Sequence, residues 1–226
     1  IVIAAAATLG GVLLRSMPRP SAVESWIFRL LAGLCLVALL AFAIGHRSLF
    51  WTQTLLALAA LLGLAGTGLL RWQDKPDPPG TLPAPPPAGP PFSLLEWLAI
   101  ATVAGGLLLT LAKALSPATQ WDAVSQYLAA ASDYAREGRI APGQGNRYTG
   151  HGQWPFVLYA VAYFPGRELT TALLGWCFGA LACASVYVLG HRTGGRRCGL
   201  LATAMLASAP VFMDQAGGIA ADLAFC

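Results

Sequence analysis

The chain has 226 residues, of which 56% are hydrophobic and only 11% charged, with a mean hydropathy of +0.61. A soluble domain carries about a quarter of its residues as charges, so water is excluded as the main solvent of this one. The formal net charge of +4 sits at the ends of apolar runs, which reads as an orientation signal and gives no nucleic-acid footprint; the five cysteines form no CxxC, which speaks against a disulfide framework or a zinc site.

A membrane-spanning helix needs about 20 mostly apolar residues, because its backbone groups must all be satisfied within the segment. Runs 1–14, 26–45, 49–70, 94–115 and 169–190 meet or approach that length. Run 198–213 is shorter but rich in Leu, Ala and Met, and a seventh begins near Asp222. The first residue is Ile and the last falls a few residues into that seventh run, so both ends read as truncated. Between the third and fourth runs, residues 71–92 are dominated by proline, which fixes φ and removes a backbone donor. This stretch is expected to be an extended, semi-rigid cytoplasmic linker. The chain thus divides into three N-terminal spans (1–70), the linker (71–92) and a second membrane region (93–226).

Lys and Arg in short loops stay on the cytoplasmic side. His191, Arg192, Arg196 and Arg197 form the clearest cluster, which places 191–198 inside. Counting back puts 116–168 outside, Arg71 and Lys75 inside, Arg47 outside, and Arg15 and Arg19 inside, provided that Trp154 to Phe164 does not cross. That piece is about half a spanning length, so it is expected to lie in the outer interface with Trp154, Tyr159 and Tyr163 at headgroup depth. Arg29 and Glu96, at the inner ends of their helices, are expected to snorkel to the headgroups. Gly175 and Gly179 offer the spacing for close helix packing.

The outer stretch 116–152 is too long and too polar for a simple connection, and loops of this kind are usually functional. Within it Trp121, Val124, Leu128, Ala131 and Ala135 recur at spacings of three and four. They predict a short amphipathic helix on the membrane surface, stopped by Gly138 and Pro142. Asp122 stands at its start, at the boundary between water and lipid. Spacing leaves two readings open: a carboxylate placed for chemistry, or a helix cap, since Thr119 precedes it at capping-box distance. Asp214 and Asp222 fall on the same outer side. A structural or solvating role in a solvated loop is the default for both, although Asp222 precedes an apolar run that it would otherwise burden with a buried charge. His151, between two glycines, reads as a surface residue when taken alone.

Three stretches, ATQWDAVSQYLAAASDYAREGRIAP, YTGHGQWPFVLYAVAYFPG and LLGWCFGALACASVYVLGHRTGGRRCGLLATAMLASAPVFMDQAGGIAADLAF, follow one another in order. In that order the chain resembles bacterial membrane glycosyltransferases of the C-type fold, similar to the dolichyl-phosphate-mannose protein mannosyltransferases and the aminoarabinose transferase of lipid A. The resemblance covers roughly residues 94–226 and leaves out the first three spans and the linker. It implies an all-α, polytopic fold in a bacterial cytoplasmic membrane. It implies an inverting transferase in which Asp122 takes the proton of an acceptor hydroxyl, with Asp222 as the second acidic residue and Asp214 as the weaker match. The donor would be a polyprenyl-phosphate sugar, and the acceptor a glycan, lipid or protein. Family members often read WDAxSYH where this chain reads WDAVSQY, so Gln126 and Tyr127 stand in the last two positions. On charge, Arg139 and Arg147 are the candidates for the donor phosphate, with His151 and Tyr127 completing the substrate-binding set. No cofactor is named by the sequence, and a divalent metal ion stays open. The rival readings are a non-enzymatic transporter or flippase for lipid-linked sugars, and a structural membrane subunit.

Overall fold

A computed structural model describes residues 1–14, 22–73, 91–141 and 153–220. The linker positions 74–90, Pro142, Arg147, His151 and Asp222 lie outside the described residues. All regular structure among the described residues is helical: α1 (Val2–Leu13), α2 (Ala22–Gly45), α3 (Leu49–Gln73), α4 (Leu94–Ala114), a π-helical turn (Ala123–Leu128), α5 (Ala129–Glu137), α6 (Gln153–Ser208) and α7 (Pro210–Ala216).

The local sequence explains where several of these begin and end. Ser93 and Glu96 form a reciprocal capping box at the start of α4: Ser93 Oγ accepts from the Glu96 N–H (3.4 Å) and Glu96 Oε2 accepts from the Ser93 N–H (2.7 Å). Gly138 closes α5 in the left-handed region (φ 67°), which glycine enters without a Cβ penalty. The long α6 is three helices in succession, 153–166, 168–193 and 196–208, parted at Arg167 (φ 55°) and at Gly194 and Gly195 (φ 76° at Gly195). The Thr170 hydroxyl donates to the Ala162 carbonyl, eight residues back. A straight helix would hold those residues about 12 Å apart along its axis, so the chain turns sharply at Arg167. The other break closes an antiparallel hairpin, in which a Cβ on Gly190 would lie 2.8 Å from Gly199 Cα.

Among the described residues three helices are long and apolar enough to cross a membrane, Glu24–Gly45, Leu94–Ala114 and the broken Pro155–Ser208. Val2–Leu13 and Leu49–Gly63 are shorter apolar helices. Large apolar side chains such as Leu39, Trp97, Leu108 and Leu109 are more than half exposed, as suits a surface solvated by hydrocarbon. Buried residues of α1, α2 and α3 join those of α5, α6 and Ile219 in one continuous core, so the first three helices pack on the later region.

The two ends of the bundle gather different loops. At one end Glu24 accepts from Arg192 (Nη2 to Oε2, 2.8 Å) and Glu96 from Arg196 (Nε to Oε1, 2.8 Å), drawing the starts of α2 and α4 to the 191–197 turn. At the other end the Ile140 N–H donates to Gly45 (2.7 Å), the Leu49 N–H to Gly138 (2.7 Å), and Lys113 pairs with Asp214 (2.6 Å). For the described segments this is the grouping that the charge alternation predicts; Arg15, Arg19 and Lys75 lie outside the described residues.

Two expectations need correction. Residues 156–162 are buried on every side and present no face to an interface. Tyr159 is fully enclosed and donates its hydroxyl to the Ala220 carbonyl, while Gln53 of α3 donates to the Val161 carbonyl. Its residues share one buried cluster with side chains of α3, α5 and the 168–193 stretch, a setting that apolar composition could not distinguish from lipid contact. Glu96 does not snorkel either, being 2% exposed and held by Ser93 and Arg196.

Candidate functional site

At the end opposite the arginine turn, α4 stops at Leu115 and residues 117–120 run without regular structure before a helix restarts at Trp121. The next six residues, Ala123–Leu128, wind as a π-helix, an arrangement often found beside functional groups because it re-aims side chains. Asp122 therefore lies within the helical path (φ −61°, ψ −42°) and makes no capping bond. Its Oδ1 accepts from Gln126 Nε2 (2.7 Å), and among the described residues no cation stands within ion-pair distance. The cap reading of Asp122 is not the geometry found.

The apolar stripe is split between the core and the outer surface. Ala123, Ala130, Ala131 and Tyr134 are buried, with Tyr127 half-buried, whereas Trp121 (65%) and Val124 (50%) are exposed. The extra residue per turn in the π-helix rotates the stripe away from the 3.6-residue template. Tyr127 is thereby brought against Phe156 (5.0 Å between centroids) and Tyr159 (6.0 Å).

Opposite Asp122 stands the short α7, begun by Pro210 at its first position, where the missing N–H costs nothing. Asp214 on this helix is more than half exposed but has partners. Its Oδ1 pairs with Lys113 Nζ (2.6 Å) and accepts from Gln120 Nε2 (2.7 Å), and its carbonyl accepts from the same two groups (3.0 and 3.3 Å). The hydrogen bond from the Lys113 ammonium is the chief reason that the Asp214 carboxyl is held below the usual range. Gly217 and Gly218 follow in close approach: a Cβ on Gly217 would lie 2.6 Å from Lys113 Cδ and 2.9 Å from its Cβ, and one on Gly218 would lie 2.2 Å from Gln120 Oε1, the movable end of that side chain. Gly175 supports the turn from beneath, with no room for a Cβ against the Gly218 carbonyl (2.6 Å).

Between these parts lies a cleft of about 240 Å³, walled by Gln120, Trp121, Asp122 and Tyr127 on one side and by Asp214, Gln215, Ile219 and Ala220 on the other. A second cleft of about 310 Å³ adjoins it through Gln120 and Ile219 and reaches Lys113, Pro117, Ala118 and Ala172. Among the expected site residues, Asp122 and Tyr127 share the first cleft, joined by Asp214. Arg139 is not brought to it: it follows the far end of α5 and stands 3.9 Å from Glu137. Lys113 and Gln120 are the residues that sequence reasoning missed. The one visible sign was a lone lysine in the last turn of an apolar helix, where it also complements the helix dipole. Among the described residues no group of three or more His, Cys, Asp or Glu could hold a metal ion, and Asp214 already carries an ammonium. A divalent ion thus has no described ligand set.

Comparison with protein-family models, curated proteins and solved structures gives no match to this chain.

Proposed function

We propose that the protein is a polytopic membrane glycosyltransferase of C-type architecture in a bacterial cytoplasmic membrane. It transfers a sugar from a polyprenyl-phosphate donor to a glycan, lipid or protein acceptor on the outer face. The observation that supports this reading most is Asp122: a carboxylate that caps no helix, meets no described cation and opens on a cleft beside Tyr127 and a second carboxylate. That cleft lies at the bundle end opposite the arginine-rich turn, which the positive-inside rule assigns to the cytoplasm.

The chemistry follows from the two carboxylates being unlike. Asp214 is engaged by Lys113 and Gln120 and serves as a fixed anchor. Asp122 is the base: it takes the proton of the acceptor hydroxyl as that oxygen forms a bond to the anomeric carbon. The bond from that carbon to the phosphate oxygen breaks, its electron pair leaves with the lipid phosphate, and the anomeric configuration inverts. A lipid-linked donor keeps its phosphate at headgroup depth, so its reacting carbon is presented to a cleft at the end of the spans.

Replacing Asp122 by Asn preserves size and can still accept from Gln126 but removes the base. Sugar transfer by the purified full-length Asp122→Asn protein should fall by about two to four orders of magnitude, the usual worth of positioned acid–base catalysis, at an unchanged melting temperature. An Asn variant as active as the wild type would remove Asp122 from the chemistry.

A further inference from the structure

The donor's phosphate needs a cation, and the arginine expected to supply it from the described residues, Arg139, is at the wrong end of α5. Lys113 is the one cationic side chain among the described residues that lines either cleft. We infer that Lys113 receives the phosphate of the lipid-linked donor, that Asp214 and the Gly217–Gly218 turn position it, and that the adjoining cleft takes the first part of the lipid. This rests on the glycosyl-transfer reading above.

Four observations carry it. Lys113 lies in the last turn of α4, a helix apolar enough to span, so its ammonium sits at the depth of lipid phosphates. An ammonium has three donors, and among the described residues two acceptors meet it, Asp214 Oδ1 (2.6 Å) and the Asp214 carbonyl (3.0 Å). One N–H is left for an anion, on a side chain 39% exposed. Its stem is pinned over Gly217, where a Cβ would lie 2.9 Å from Lys113 Cβ and 3.0 Å from its Cγ. Finally, the cleft beside it is walled by Pro117, Ala118, Ala172 and Ile219, surfaces suited to hydrocarbon next to a single charge.

Asp214 offsets part of the ammonium's charge, so the contribution expected is that of one charge-assisted hydrogen bond. The experiment titrates the detergent-solubilised full-length protein with a polyprenyl phosphate, and repeats the titration in competition with inorganic phosphate. Lys113→Met should weaken polyprenyl-phosphate binding about tenfold or more, and Lys113→Arg should restore it to within about threefold. Gly217→Ala, which keeps the charge but displaces the stem, should weaken it several-fold at an unaltered oligomeric state; a general charge effect would leave this variant at wild-type affinity. Wild-type affinity in Lys113→Met overturns the inference, as does failure of the wild type to bind the lipid phosphate. Competition by inorganic phosphate at equal affinity overturns the lipid assignment. The two readings fail separately: a fully active Asp122→Asn with weakened binding in Lys113→Met removes the base and keeps the phosphate site, whereas an inactive Asp122→Asn with intact binding in Lys113→Met does the reverse.

Discussion

Asp122 and Asp214 line one cleft, and their hydrogen-bond partners divide their roles. Asp122 accepts from a neutral amide, Gln126, while Asp214 is clasped by an ammonium and an amide from the end of α4 and the segment after it. Because Lys113 holds the Asp214 carboxyl below its ordinary range, the stabilisation is complete above the unfolded value of about 3.9 and is lost as pH falls through the folded value. Asp214→Asn should therefore melt below the wild type near about pH 6, and the two curves should converge below about pH 4. The pair is largely exposed, so the gap should be only about 1–2 °C. A gap that stays constant down to about pH 3 would mean that the carboxylate's charge is not what Lys113 reads. Sequence position singled out Asp122, since a carboxylate just past an apolar run is conspicuous. It could not choose between cap and catalyst, because that choice depends on the backbone angles at residue 122 and on where the Gln126 amide points. The link from Lys113 to Asp214 spans most of the second membrane region and left no local pattern to read.

Among the elements, three apolar helices of spanning length among the described residues and the stop at Gly138 were legible, because length, apolarity and glycine chemistry act locally. Which face of a short apolar helix meets protein was not. Hydrocarbon and protein core are equally apolar, so Trp154 to Phe164 and the stripe from Trp121 to Ala135 carried no signal separating lipid from neighbour. Packing inside the membrane then rests on close backbone approach. A Cβ on Gly199 would lie 2.7 Å from the Tyr187 carbonyl, a backbone atom that cannot step aside. Gly199→Val should open the hairpin of 168–193 and 196–208 and cost about 1–3 kcal/mol, lowering the melting temperature by several degrees. Gly105→Ala is the control: nothing lies within 4 Å, so better helix propensity should leave stability equal or up to about 1 kcal/mol higher. Equal melts for both variants would contradict this account of the hairpin.

For the whole molecule, the alternation of basic loops foretold which segments share an end, since each helix that traverses the bundle exchanges one end for the other. Cysteine scanning can fix which end is outside. In a background lacking native cysteines, an impermeant thiol reagent on intact cells should label a single cysteine at Arg136, which is exposed, and not one at His191. The reverse pattern would turn the protein over and place the cleft in the cytoplasm. A transporter of lipid-linked sugars would move its cargo unbroken, whereas a transferase must break the bond between sugar and phosphate. The full-length protein should therefore be given a polyprenyl-phosphate-linked labelled sugar together with acceptor-containing envelope extract, and free polyprenyl phosphate measured against transferred label. Release of lipid phosphate in step with transfer, abolished in Asp122→Asn, is the result expected. Movement of intact lipid-linked sugar across a bilayer without any release of lipid phosphate would contradict the account.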